Sequence, residues 1–123
     1  MWVLAGPHFI NARAAANTMI FMILVATEGQ RHGDGGRKVW ATEVGYATGS
    51  GTGQIAEEVS ARYTAQTFDR WFALPYAGPL FWYELVDGHS YVTTDREQTF
   101  GLLHSGDWSE KPGYRFFLSK LRK

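Results

Sequence analysis

Two apolar stretches that favour extended structure, separated by one stretch of helical spacing, constrain this chain more than any other feature. Lys38 to Tyr46 (KVWATEVGY) contains Val39, Trp40 and Val44 with one acidic residue, Glu43, and Leu80 to Val86 (LFWYELV) repeats the pattern. Between them lie a loop, ATGSGTG at 47–53, and a segment from Gln54 to Phe72. In that segment Ile55, Ala56, Val59, Tyr63, Phe68, Trp71 and Phe72 fall near helical spacing. Glu57 and Glu58 occupy its first turn, and Thr52 stands where a cap belongs. Pro75 to Pro79 then breaks the chain. A strand, a long helical crossover and a second strand predict a parallel pair with right-handed connection, so the expected class is α/β.

The flanks add to this unit. Residues 1–10 read as a short strand or irregular lead-in around Gly6-Pro7. A helix from about Ala12 to Glu28 follows, with Asn11 at its cap and apolar residues nearly all round. Gly29 to Arg37 is a polar, glycine-rich loop, Thr99 to Leu103 is apolar again, and Pro112 opens a last helix towards Leu121. With 123 residues, 45% hydrophobic and 20% charged, one domain is expected. Twelve Lys plus Arg balance twelve Asp plus Glu, which leaves no net field to hold nucleic acid or an anionic membrane. The absence of Cys removes disulfides, thiol nucleophiles and thiolate metal sites. The apolar run Met19–Ala26 is well short of the ~18 residues of a spanning helix, and with no Ala-x-Ala after it the run reads as a buried helix, a secretory signal peptide being the alternative. Histidines 8, 32, 89 and 104 form no i,i+4 pair and no His-Glu-x-x-His, so neither a metal nor another cofactor is expected.

Glu43 is the most informative single residue. In a regular strand it shares a side with Val39, Ala41 and Gly45, while Trp40, Thr42 and Val44 face the covering helices. A carboxylate there is costly unless paired or placed at the open carboxyl end of a parallel sheet, where α/β folds keep their sites. Trp82 shares a side of the second strand with Glu84, and an indole beside a carboxylate on strands ~4.8 Å apart suits a sugar ring. The competing reading of Trp82 is plain core. The glycines at 49, 51 and 53 fit a phosphate-binding loop poorly: Gln54 stands where a third spaced glycine belongs, and no Gly-Lys-Ser/Thr is present. A βα loop without a ligand is the favoured reading.

Taken together, these segments resemble the end of a (β/α)8-barrel glycoside hydrolase of the clan that includes families 5 and 39. VWATEVGY at 39–46 is similar to that clan's strand 7, FWYELVD at 81–87 to its strand 8, and FGLL at 100–103 and EKPGYRFF at 110–117 to the segments leading into the last helix. The similarity spans roughly residues 12–121. It implies a retaining hydrolysis of O-glycosides with Glu43 as nucleophile and Trp82 beneath the sugar. The clan's acid/base, a strand 4 Glu preceded by Asn, has no counterpart, because no Asn-Glu occurs in the sequence. A complete barrel takes ~250 residues, so the expected architecture is a partial barrel of the last two βα units and the helix before them, a single fragment-like domain. Glu84 or Asp87 as a substitute second carboxyl has no support in the family pattern.

The implied partner is a carbohydrate, with self-association or a missing N-terminal barrel segment completing the barrel. Members of the family are often extracellular. Two alternatives stay open: a non-catalytic carbohydrate-binding or self-associating fragment, and a nucleotide-binding βαβ domain using Gly49–Gly53.

Overall fold

The computed structural model of the chain describes residues 2–4, 29–89 and 93–121. Three strands, β1 (Trp2–Leu4), β2 (Val39–Val44) and β3 (Ala77–Trp82), form one parallel sheet in the order β1-β2-β3. Helix α1 (Glu57–Phe72) connects β2 to β3, and helix α2 (Pro112–Leu121) follows a short 3-10 turn at Arg96–Gln98. The expected parallel βαβ unit is therefore present. The expected helix over 12–28 lies outside the described residues. Among the described residues no helix is long and apolar enough to cross a membrane.

The helices cover one side of the sheet. Val39 and Ala41 are buried against Trp71 of α1, with Val44, Leu74, Tyr76, Ala77 and Leu80 packed around them. The Trp71 indole Nε1 donates to the Gly78 carbonyl at 2.9 Å, which ties the end of α1 to β3. Burial of Val39 and Ala41 reverses the side expected for them, and Trp40, expected to face the helices, instead meets Phe81 at a ring distance of 6.1 Å. The reason is the pairing of β2 with β3, whose register shifts between Val39 and Ala41 and again between Ala41 and Val44. Ala41 and Val44 are an odd number of positions apart, yet both join the core cluster. Only an irregular strand permits that.

Helix α1 begins later than expected. Its N-cap is Ala56, whose side chain makes no capping bond, and Thr52 is exposed in the preceding loop. Glu57 and Glu58 still stand in the first turn, where the helix dipole favours them. The buried stripe is Ser60, Ala61, Thr64, Phe68 and Trp71, while Phe72 is exposed. Small residues occupy its first half because α2 comes close there: a Cβ on Gly113 would lie 3.4 Å from Thr64 Oγ1 and 3.7 Å from the Ala61 Cα. Thr64 satisfies its own hydroxyl by donating to the Ser60 carbonyl at 2.9 Å. Farther along, Phe68 packs edge-on against Phe117 of α2, with ring centroids 5.7 Å apart.

The second strand ends earlier than expected because the chain changes partner. Tyr83 N–H still donates to the Val44 carbonyl at 2.8 Å, but Glu84 N–H donates to the Phe100 carbonyl at 3.3 Å and Leu103 N–H to the Leu85 carbonyl at 2.9 Å. Gly45 is required at this junction, since a Cβ there would fall 1.7 Å from the Tyr83 carbonyl oxygen.

Candidate functional site

Glu43 is the last residue but one of β2, and it is exposed at the carboxyl end of the sheet. Beside it on β3's continuation is Tyr83, half-buried, with its ring against Phe100 at 5.6 Å. The Tyr83 hydroxyl is held above its ordinary pKa by the charge of Glu84 first, then by burial, and then by the charges of Glu97 and Glu43. Tyr83 N–H donates to the Val44 carbonyl at 2.8 Å, which sets Tyr83 next to the end of β2. Simple alternation from Trp82 and Glu84 does not single out Tyr83. The signal available was its place one residue along from the indole.

Trp82 lies elsewhere. Its ring stacks on Phe68 of α1 at 5.7 Å and 20°, and meets Tyr46 at 6.0 Å and Phe117 of α2 at 6.0 Å. It therefore occupies the layer between sheet and helices, whereas Trp40 and Phe81 meet each other. The sequence expects Trp82 beneath a sugar next to Glu43; in the structure its ring packs among Tyr46, Phe68 and Phe117. The Trp82 indole N–H is buried without a hydrogen-bond partner among the described residues.

The carboxyls after β3 divide into two kinds. Glu84 is half-buried, and its pKa is raised by burial first and by the neighbouring Asp87, with Lys111 acting in the opposite direction. Asp87 is fully enclosed and already committed. Its Oδ1 accepts from Lys111 Nζ at 2.7 Å and from the Gly101 N–H at 2.7 Å. Lys111 Nζ also donates to Thr48 Oγ1 at 2.7 Å and to the Thr99 carbonyl at 3.3 Å. One ammonium thus joins the loop after β2, the segments around 87 and 99–101, and the start of α2. A Cβ on Gly101 would meet the Asp87 backbone nitrogen at 2.1 Å, so glycine admits this approach. Lys111 was not among the expected site residues; the signal for it is the Lys-Pro step within EKPGYRFF at 110–117.

The glycine-rich loop after β2 is tied down. Gly49 N–H donates to the Ile55 carbonyl at 2.9 Å, and Gly51 N–H donates to Gln54 Oε1 at 2.7 Å. Gln54 Nε2 in turn donates to the Thr93 carbonyl and to Thr99 Oγ1, both at 3.1 Å, which joins this loop to the one after β3. Two amides that a phosphate would need already have acceptors, so the loop is not arranged as an anion cradle. Among the described residues no group of three or more His, Asp or Glu is placed to hold a metal ion.

No protein-family model matches the chain, and no curated protein matches it. Solved structures do. A GH5_18 protein from Streptomyces cattleya, in complex with GlcNAc, is 24% identical, covering 69% of this chain and 20% of its own, with a TM-score of 0.56. A family 39 glycoside hydrolase from the gut symbiont Bacteroides cellulosilyticus WH2 is 28% identical over 68% of this chain and 16% of its own, again with a TM-score of 0.56. A Faecalibacterium prausnitzii beta-glucuronidase covers 97% of this chain and 19% of its own at 17% identity and a TM-score of 0.56, which speaks to fold alone. The chain spans about a fifth or less of the length of these structures. Over two thirds or more of its length, then, the chain has a mixed helix and strand fold like that of glycoside hydrolases, built on a small parallel sheet.

Proposed function

We propose that this chain is a portion of a glycoside hydrolase barrel, with β2 and β3 as its last two barrel strands and Glu43 as the nucleophile of a retaining hydrolysis of O-glycosides. The observation that carries this reading is the placement of an exposed carboxylate at the carboxyl end of a parallel sheet, next to Val44, whose carbonyl accepts from the Tyr83 N–H of the neighbouring strand. Likeness to glycoside hydrolases, one of them holding GlcNAc and a variant of the same protein holding Manb1-4GlcNAc, supports a carbohydrate as partner. Trp82 is the aromatic expected under the sugar; its packing against Phe68 and Phe117 favours a core role instead, and we assign the sugar-side position to Tyr83.

Retention needs a second carboxyl ~5 Å from the first. Asp87 is spent on Lys111, and the sequence has no Asn-Glu. The acid/base therefore comes from a further barrel segment, and the present chain is catalytically silent by itself. The test compares the chain alone with a version joined to an upstream barrel segment that carries Asn-Glu, using aryl glycosides as substrates. Turnover is expected in the joined protein only, and Glu43→Gln should abolish it while leaving the fold intact. Near-wild-type hydrolysis by the Gln variant would overturn the assignment.

A further inference from the structure

The turn between the 99–103 segment and α2 holds a tryptophan out into solvent. Trp108 has φ 58°, the single non-glycine residue with positive φ among the described residues, and it is 64% exposed. Both facts are unfavourable for folding: bulky side chains avoid the left-handed region, and an indole left in water forgoes its burial. No ring packs on it among the described residues, so no aromatic contact compensates.

The turn is nevertheless firmly built. Asp107 Oδ1 accepts from the Ser109 N–H at 3.0 Å and from Ser109 Oγ at 2.9 Å, and His104 N–H donates to the Ser109 carbonyl at 2.9 Å. These bonds from Ser109, the backbone one foremost, hold the Asp107 carboxyl below its ordinary range. Leu103 and Glu110 bridge antiparallel at the base. His104 Nε2 lies 3.2 Å from Glu57 Oε1 in the first turn of α1. Because α1 starts after the carboxyl end of β2, this contact places the turn at the same end of the sheet as Glu43. A backbone conformation that opposes its own side chain, fixed by several hydrogen bonds, points to a role for that side chain.

We propose that Trp108 is a carbohydrate-stacking platform, outside the Glu43 site, that takes one pyranose ring of a longer saccharide. The proposal rests on the carbohydrate reading of the chain given above. A pyranose presents a face of C–H groups that the negative face of an indole attracts, while its hydroxyls need polar neighbours. Trp108 supplies the ring, and its chain neighbours Asp107, Ser109 and Glu110 are exposed polar residues, with Asp107 Oδ1 accepting from Ser109 and Glu110 Oε2 accepting from Arg115 Nε at 3.0 Å. A protein partner would require a wider apolar patch than one ring among polar residues.

The experiment follows the indole N–H signals of the full chain by ¹H–¹⁵N NMR during titration with hexasaccharides of glucose, mannose or N-acetylglucosamine. At least one of them should move the Trp108 signal. Trp108→Ala should weaken that binding about tenfold or more, and Trp108→Tyr much less. Trp108→Gly should lose binding yet keep or raise the melting temperature, because glycine accepts φ 58°, which separates lost contact from lost fold. A Trp108 signal unmoved by all three sugars, or Trp108→Ala binding as tightly as wild type, overturns the platform. If the joined barrel hydrolyses aryl glycosides through Glu43 while Trp108 stays silent, the platform alone falls. If Trp108 binds sugar and no Glu43-dependent hydrolysis occurs, the platform stands and the hydrolase reading falls.

Discussion

Replacing Lys111 with Met removes the ammonium that joins Asp87, Thr48 and the Thr99 carbonyl while keeping most of the side-chain volume. The Lys111 and Asp87 side chains are 3% and 1% exposed, so solvent cannot take over the lost contact. Asp87 would lose its ammonium partner in a buried setting, while the Gly101 N–H still donates to it. Breaking a buried pair in this way costs about 3–5 kcal/mol. Domains are stable by only about 0.05–0.15 kcal/mol per residue, so the loss is a large share of what a chain of this size has. At roughly 4 °C per kcal/mol it corresponds to a melting temperature lower by about 10–20 °C. Urea unfolding at neutral pH, followed by circular dichroism and by tryptophan fluorescence, measures the change. Asp87→Asn in the Lys111→Met background leaves no unpaired charge, while the Asn side chain still offers an oxygen to Gly101. The double variant should therefore be more stable than the sum of the two single losses by about 2 kcal/mol. Additivity within about 0.5 kcal/mol, or a loss below about 1 kcal/mol for Lys111→Met alone, would refute the view of this pair as a coupled, desolvated lock.

Three further outcomes follow from the same geometry. Trp82→Ala should cost about 3–5 kcal/mol by removing the ring between Phe68 and Phe117, whereas Trp82→Phe, which keeps a ring and deletes the unpartnered N–H, should be far milder; chemical denaturation of both variants reads the difference. Glu84 has a raised folded-state pKa, so the folded form holds its proton more tightly and stability falls as pH rises from the ordinary carboxylate range through the raised value; Glu84→Gln should remove that fall and leave the protein more stable at pH 7, as thermal melts across pH 3–8 would record. Among the described residues β1 and β3 each pair with β2 only, and Phe81 is 50% exposed on the side away from the helices, so the isolated chain is expected to self-associate; light scattering that finds a clean monomer at all concentrations counts against this.

The parallel βαβ unit was legible in the sequence because its signals are local. Val39, Trp40 and Val44 favour extended structure, Pro75 precedes the return strand, and Pro112 opens α2 at the residue expected, whereas Pro79, expected to break the chain before a strand at Leu80, lies within β3. The buried stripe of α1 was less legible. Hydrophobicity pointed to Ile55, Val59 and Phe72, but the helix buries Ser60, Ala61 and Thr64, where Gly113 of α2 packs against it. Nothing local in the sequence announces the approach of a helix fifty residues away. The Lys111 network was hidden for a related reason: its four parts come from four separate segments, and each residue taken singly reads as an ordinary surface polar group.

The side on which Glu43 stands shows why alternation failed here. In a regular strand Glu43 shares a face with Val39 and Ala41, and both of those are buried against Trp71. A straight β2 would thus carry the carboxylate into the apolar layer beneath α1, at a cost of several kcal/mol unless it were paired. The register shift between Ala41 and Val44 resolves the conflict. It returns Val44 to the core and leaves Glu43 exposed, within electrostatic reach of Tyr83. Gly45 then lets the chain pass close to the Tyr83 carbonyl, which keeps the two strand ends together just beyond the irregularity. The feature that defeats a count of alternating residues is therefore the one that allows a single short strand to have a buried apolar face and a solvated carboxylate within three residues of each other.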